Sequence, residues 1–475
     1  MNRDIALWGA LPIYCISAWA VISLLVDAFS KNSRVSFHFA WIGLLLTAIA
    51  AVGSFPYEGA AFSGMIATGH YAAFFDVLFA IGGLLTVLAA HPYLERLQFE
   101  LDEFYSLTLF AIAGMMLIAH ANNLLVLFIG IEVMSISFYI LAGYFRNKTL
   151  SVEAGIKYFL LGAFMSGFLM YGIALVYGAT ASLHYGAILH ATTTGSLSFP
   201  TLLIIGATFL VIALSFKAAL FPFHFWAPDV YQGAPTVVTG LMSTAGKAAA
   251  FAAFLPLAFV FLPQLQIKLQ LLLAIIAALS MLYGNIVAIT QQNIKRMLAY
   301  SSIAHAGYIL IGIVAASPDG FAAVTFYAAV YLFMQLGAFV LASVLEQQYG
   351  RHLEIQDYKG LYQRHPLLAG LMAVFMFSLT GVPPLAGFFG KYYLFVAAIE
   401  SGFVWLAILG VVASVISAYF YLGLVVAMFF HPASERSESP LPAGTAGITL
   451  AISTLMTFLF GFFPSLLLRV TQQLF

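Results

Sequence analysis

The sequence predicts an all-α, polytopic membrane protein, and three observations carry that expectation. Apolar side chains make up 63% of the 475 residues and charged ones 8%, with a mean hydropathy of +1.01, a composition that no ordinary soluble core has. Apolar stretches of roughly 18 to 29 residues recur along the chain, long enough at about 1.5 Å per residue to cross a hydrocarbon layer about 30 Å thick. Four lysines, Lys157, Lys217, Lys247 and Lys391, interrupt stretches that otherwise exclude charge. A lysine at mid-membrane costs about 2.5 to 3.5 kcal/mol, so four of them with a carboxylate at Glu132 mark a functional path, and the expected cargo is a proton.

About fourteen spans are expected, near 5–29, 37–54, 71–90, 103–120, 123–143, 153–178, 201–225, 236–262, 268–290, 297–316, 321–345, 367–395, 402–430 and 446–468. The first follows Arg3 and Asp4 and is too long for a signal-peptide core, so it is read as retained. The single cysteine, Cys15, forms no internal disulfide, and no haem-attachment motif or thiolate cluster is present. Electron transfer through this chain, and a cofactor bound by it, are therefore not expected; no metal site or nucleic-acid contact is expected either. Of eleven histidines, only His120, His224 and His305 fall within or close to the apolar stretches.

Fourteen spans put alternate connections on opposite faces, and cations mark one of them. Connections after the odd-numbered spans carry Lys31, Arg34, Arg96, Arg146, Lys148, Lys295, Arg296, Arg351, Lys359, Arg364 and Arg436, against Arg3, Lys268 and Arg469 on the other side. The remaining four of the 18 Lys and Arg residues are the lysines within spans. The cation-rich face reads as cytoplasmic and both termini as non-cytoplasmic. With no transit-like leader, a bacterial inner membrane is expected.

Helix breakers reveal the internal organisation. Span 7 ends in Phe221-Pro222-Phe223-His224-Phe225-Trp226-Ala227-Pro228, and span 12 is interrupted by Gly381-Val382-Pro383-Pro384-Leu385-Ala386-Gly387. Proline removes a donor and clashes one turn back, so both spans are predicted to be discontinuous, tolerable at depth where protein or a watery cavity surrounds the break. The breaks are five spans apart. An odd offset relates spans 4–8 and 9–13 as inverted-topology repeats, an architecture that places ion sites near such breaks. The expected organisation is an N-terminal three-helix segment (1–100), two five-helix units (101–265 and 266–430) and a C-terminal helix (431–475).

Asn122-Asn123, Glu132, the run His224 to Thr236, Lys295-Arg296-Met297-Leu298-Ala299-Tyr300-Ser301-Ser302-Ile303-Ala304-His305-Ala306-Gly307-Tyr308, and Gly381 to Lys391 together resemble the antiporter-like membrane subunits of respiratory complex I, the NADH:quinone oxidoreductase, over about residues 100–430. Within that superfamily, shared with Mrp-type cation/proton antiporter subunits, Tyr231-Gln232-Gly233-Ala234-Pro235, a lysine at 391 and termination at 475 without a long lateral helix are most similar to the subunit N branch. The resemblance implies a non-redox, proton-translocating subunit of a translocase, not catalytic alone. Its partners would be the lipid bilayer and other membrane-arm subunits, antiporter-like paralogues among them. NADH or another donor and a quinone would be used by the whole complex. An Mrp-type Na⁺/H⁺ antiporter subunit is the alternative.

Residue chemistry agrees with that implication. Glu132 lies nine residues into its span, about 13.5 Å deep. The resemblance places Lys217, five residues before Pro222, opposite it; closing such a pair favours a charged lysine and opening it favours proton release. A fixed ion pair joining two helices is the structural alternative. Lys247, with no acid nearby in sequence, suits a central relay. Lys391, seven residues after Pro384, suits an exit-side relay, or else caps a helix end. His305 and, with less weight, His224 are candidate carriers between lysines. Lys157 carries less weight because Glu153 lies one turn before it, where an i,i+4 ion pair is natural. Ser243, Thr244, Ser301, Ser302 and Thr380 are candidates for ordering connecting waters. Asp27 and Asp76 read as subunit-contact or interfacial groups, Glu103 beside Asp102 as a solvated acidic end, and Glu346 to His365 as a charged docking or solvated loop.

Overall fold

The computed structural model describes residues 7–30, 33–99, 103–194, 197, 199–346, 353–432 and 444–475. Arg3, Asp4, Lys31, Asp102, Arg351, His352 and Arg436 lie outside the described residues, as does the side chain of Lys268.

Helices α1 (Leu11–Ser30) and α2 (Ser33–Ser54) lead to an antiparallel hairpin of β1 (Gly59–Ala61) and β2 (Ile66–Thr68), with Gly59 opposite Thr68. Next come α3 (His70–Leu97), α4 (Glu103–Ala119), α5 (Leu124–Ala142), α6 (Thr149–Thr180), the short α7 (Tyr185–Thr193) and α8 (Pro200–Lys217). Past a non-helical turn lie α9 (Ala227–Gly233), α10 (Thr236–Ser243) and α11 (Ala245–Ala288), followed by α12 (Ile294–Ala315) and α13 (Pro318–Leu345). A 3₁₀ turn (Ile355–Tyr358) and α14 (Leu361–Arg364) precede α15 (Pro366–Thr380), α16 (Ala386–Glu400), α17 (Val404–Phe430), α18 (Thr445–Phe462) and α19 (Pro464–Gln472).

Twelve helical segments among the described residues are long and apolar enough to cross a membrane. Two shorter apolar helices, α4 and α15, fall at the fourth and twelfth expected positions. Both expected breaks are present: α8 stops at Lys217 instead of running to 225, and α15 and α16 are separated by residues 381–385. The hairpin departs from the all-helical expectation. Its strands are three residues each, too short to give a sequence period, and its turn uses left-handed backbone at Phe62, Ser63 and Gly64.

Helices α12 and α13 form the centre, their apolar stretches wholly buried, whereas α1 is mostly outward-facing. A helix that is apolar all round is buried, and α12 is buried although it carries Ser301, Ser302 and His305, which therefore stand out. Glycine sets the tightest crossings. A Cβ at Gly114 of α4 would lie 2.8 Å from the Gly130 carbonyl oxygen of α5, and one at Gly284 of α11 would lie 2.7 Å from the Tyr300 carbonyl oxygen of α12.

Connections sort onto two faces as alternation requires. On one, Ile66 bridges Ala121 and Asn123 bridges His184; on the other, Asn293 bridges Glu354. Asn123 and Asn293 are also N-caps, accepting from the backbone N–H of Leu125 and of Lys295 and Arg296, respectively. Glu346, expected in a charged loop, is buried on the second face. It accepts from Tyr93 at 2.9 Å and from Thr236 at 2.5 Å. Lys295, expected in a connection, is buried there too and donates to the Ala234 carbonyl at 2.5 Å. Burying these groups is tolerable because each has a hydrogen-bond partner.

Candidate proton-relay site

Three of the four span lysines are buried, and none of these three forms an ion pair among the described residues. Each is held by neutral oxygens beside a helix break or a helix start.

Lys217 is the last residue of α8, and its Nζ donates to Ser135 Oγ at 2.6 Å and Tyr139 OH at 3.3 Å, both on α5. Ser135 Oγ in turn donates a hydrogen bond to the Ile131 carbonyl at 2.5 Å. Glu132 lies one turn before Ser135 but is turned toward α6, where it accepts from Ser166 Oγ. The expected Lys217–Glu132 ion pair is therefore not closed. The reason is helical direction: Ile129, Ile136 and Ile140 mark the outward stripe of α5, Glu132 sits half-buried at its edge, and Ser135 and Tyr139 face inward.

Lys247 is the third residue of α11, just past the Thr244 junction. Its Nζ donates to both the carbonyl oxygen and Oγ of Ser302, each at 2.5 Å. One turn further along α12, His305 is buried between two phenols, with Nδ1 2.6 Å from Tyr327 OH and Nε2 3.1 Å from Tyr421 OH; Tyr421 also hydrogen-bonds Ser301. A neutral imidazole donates from one nitrogen and accepts at the other, so this arrangement suits proton passage.

Lys391 on α16 reaches back across the second break to the last carbonyls of α15, Leu379 at 3.1 Å and Thr380 at 2.9 Å. The carbonyl end of a helix favours a cation, so Lys391 is both a buried candidate and a helix cap. Its Nζ also lies 4.7 Å from the Tyr308 ring centroid. The break needs glycine at 381: φ is +95°, and a Cβ would meet Lys391 Cδ at 3.2 Å.

Two lower-weight candidates fall outside this chain of groups. His224 is buried against Phe221 and Tyr283, with ring centroids at 5.4 and 4.6 Å, and its Nδ1 has no hydrogen-bond partner among the described residues. Lys157 is not deep. It pairs with Glu153 at 2.6 Å and Asp229 at 2.8 Å, and Asp229 pairs with Arg296 at 2.7 Å, a half-exposed ladder joining α6, α9 and α12. Partial burial pulls the Asp229 carboxyl upward, but the hydrogen bonds from Lys157 and Arg296 outweigh it and hold the group below the usual carboxylate range.

Among the hydroxyls, Ser301 and Ser302 join the site, whereas Ser243 and Thr244 bond back to the Gly240 carbonyl and Thr380 to that of Met376. Asp27 is buried instead of interfacial. Asp76 is likewise fully buried and bonded to His120, against the expected contact role. Sequence reasoning missed Ser135, Tyr139, Ser166, Tyr327 and Tyr421. The spacing of Ser135 and Tyr139 from Glu132, one and two turns, was the available signal.

The family profile described as NADH:quinone oxidoreductase/Mrp antiporter, transmembrane, matches residues 121–417. The chain is 44% identical to NADH-quinone oxidoreductase subunit N 1 of Chloroherpeton thalassium, covering 98% of this chain and 97% of that one. Among solved structures it resembles a chain of respiratory complex I from Thermus thermophilus with bound aureothin, with a TM-score of 0.82 at 36% identity, covering 96% of this chain and 98% of that one. A chain of the Mrp complex from Dietzia sp. DQ12-45-1b superposes with a TM-score of 0.87 at 20% identity over 98% and 97%, which shows a shared fold.

Proposed function

The chain belongs to the NADH:quinone oxidoreductase/Mrp antiporter transmembrane family, and we propose that it moves protons in the membrane arm of an NADH:quinone oxidoreductase, as its subunit N. The observation that carries this reading is the set of three buried lysines, Lys217, Lys247 and Lys391, held by hydroxyls and carbonyls with no ion-paired acid among the described residues. A fixed ion pair would lock each charge, whereas neutral partners let an ammonium give up its proton and reload. The relay runs through Glu132, Lys217, Lys247, His305 and Lys391. Lys217 gives up its proton when its distance from Glu132 grows, and Ser135 lies in the turn between them. NADH and quinone react in other subunits, antiporter-like paralogues flank this one, and energy reaches it as a change of electrostatics or hydration.

The two five-helix units, 101–265 and 266–430, are part of the reading. Gly114 and Gly284, Asn123 and Asn293, and His184 and Glu354 each recur at the same interval along the chain, in matching crossings, caps and bridges on opposite faces. The cation-rich face is assigned to the cytoplasm of a bacterial inner membrane and both termini to the other side. An Mrp-type exchange of Na⁺ for H⁺ is the second reading, favoured by the fold shared with the Mrp chain. The test is proton uptake by vesicles holding the assembled complex, with and without Na⁺. Quinone-dependent pumping indifferent to Na⁺ is expected. Sodium-dependent proton flux without quinone turnover would select the exchange reading instead.

A further inference from the structure

A second polar pair lies outside the lysine axis. Asp76 on α3 and His120 at the end of α4 are both fully buried. Asp76 Oδ2 is 2.8 Å from His120 Nε2, and His120 Nδ1 is 2.8 Å from the carbonyl oxygen of Ala67 in β2. Asp76 Oδ1 is buried without a hydrogen-bond partner among the described residues.

These contacts fix the proton count. A carbonyl oxygen only accepts, so Nδ1 must carry a hydrogen. The contact between Nε2 and Oδ2 holds one more proton, on nitrogen as an imidazolium beside a carboxylate, or on oxygen as a carboxylic acid beside a neutral ring. Either way the pair is neutral as a whole and stores one proton beyond the carboxylate with a neutral imidazole. If that proton leaves, the lone pair of Nε2 faces a carboxylate. Moving the remaining hydrogen to Nε2 relieves that repulsion, but it then sets the bare Nδ1 against the Ala67 oxygen. Releasing the proton thus breaks the bond to the hairpin.

The hairpin is placed to respond. Ala67 N–H donates to the His120 carbonyl at 2.8 Å, Asn122 N–H to Met65 at 3.1 Å, and Asn122 Nδ2 to Gly64 at 2.9 Å. It therefore closes the pair off on the face opposite the cation-rich one. Inward, α3 runs along the start of α11: Tyr71 OH donates to the Ala252 carbonyl at 2.8 Å, and a Cβ at Gly82 would lie 3.2 Å from that of Ala245. Asp76 lies between those two contacts along α3 but on another side of the helix, the one on which Gly83, two turns on, meets Ile112 of α4.

We propose that Asp76 and His120 form an additional proton-holding station between α3 and α4, latched by the Ala67 carbonyl so that loss of its proton loosens the 59–68 hairpin toward the cation-poor face. The station takes one proton from the relay and gives it to water on that face; no other reactant is needed. This rests on the proton-translocation reading.

The test uses the assembled complex in vesicles and reads the ratio of protons moved to electrons transferred, which a purely structural tie would leave unchanged in whatever assembles. Asp76→Asn and His120→Gln are each expected to lower that ratio about twofold or more, as for loss of a proton-transfer group. The double variant, whose two amides can still hydrogen-bond, should assemble well and stay low. A normal ratio in the assembled double variant overturns the station. Lys247→Ala run alongside separates the failures: if it too pumps normally, the translocation reading falls with it. Should none of the dyad variants assemble, hydrogen exchange in the wild-type complex decides. The hairpin amides must exchange faster during turnover than at rest, and equal rates overturn the proposal.

Discussion

The two proposed units, 101–265 and 266–430, share a close glycine crossing, an asparagine cap and a bridge at one interval, and carry different chemistry. At the positions of α12 that match Glu132 and Ser135 of α5 by the interval of the shared crossings stand Ser302 and His305. The first half places a carboxylate one turn from the hydroxyl that holds Lys217. The second half has no acid there; Lys391 rests on the carbonyl end of a broken helix, and Lys247 rests on Ser302 between the halves. A carboxylate can switch a lysine through a change of distance, whereas carbonyl dipoles hold one in a fixed field. In the proposed relay the first half therefore changes state and the second passes a proton along.

The largest effect that tests this contrast is expected from Lys217→Ala and Glu132→Ala. Each should cut coupled pumping by about tenfold or more while the complex still assembles; normal pumping in either assembled variant removes the pair from the relay. Lys391→Arg comes next. Arginine keeps the charge that caps α15 but does not release its proton, so assembly should match wild type while pumping falls severalfold. Retained pumping would make Lys391 a cap only. Ser135→Ala should have a smaller effect, because Tyr139 still holds Lys217, and a slowing of about twofold to threefold in pumping rate is expected from the loss of one buried hydrogen bond.

Lys157→Gln should do least, leaving pumping near wild type. It removes one of the two cations that hold Asp229. Because the folded-state Asp229 carboxyl lies below its ordinary value, the stability it contributes is complete above that ordinary value and is lost as pH falls through the lowered one. Thermal unfolding of the Gln variant should accordingly show a weaker loss on acidification than wild type. A pumping defect as large as that of Lys217→Ala would put Lys157 back in the relay.

Much of the fold was legible because a membrane forbids most alternatives. Apolar stretches of the right length, prolines at 222 and 383–384 and four lysines left little freedom, and the broken helices lie where the prolines place them. Side-chain pairing was less legible. Nothing local links Lys157 to Asp229, Asp76 to His120, or Glu346 to Tyr93, because each pair is made by helices distant in sequence. The resemblance set Lys217 opposite Glu132, and the structure gives it Ser135 instead, since the two side chains, three residues apart on α5, leave the helix in different directions.

The most direct test of the relay is redox-driven proton pumping by the assembled complex with Lys247→Ala and Lys247→Arg. Loss in both, with electron transfer through the other subunits intact, is the expected result, because it means Lys247 must give up its proton and arginine does not. Unchanged pumping in both would contradict the relay and leave the buried lysines as structural groups.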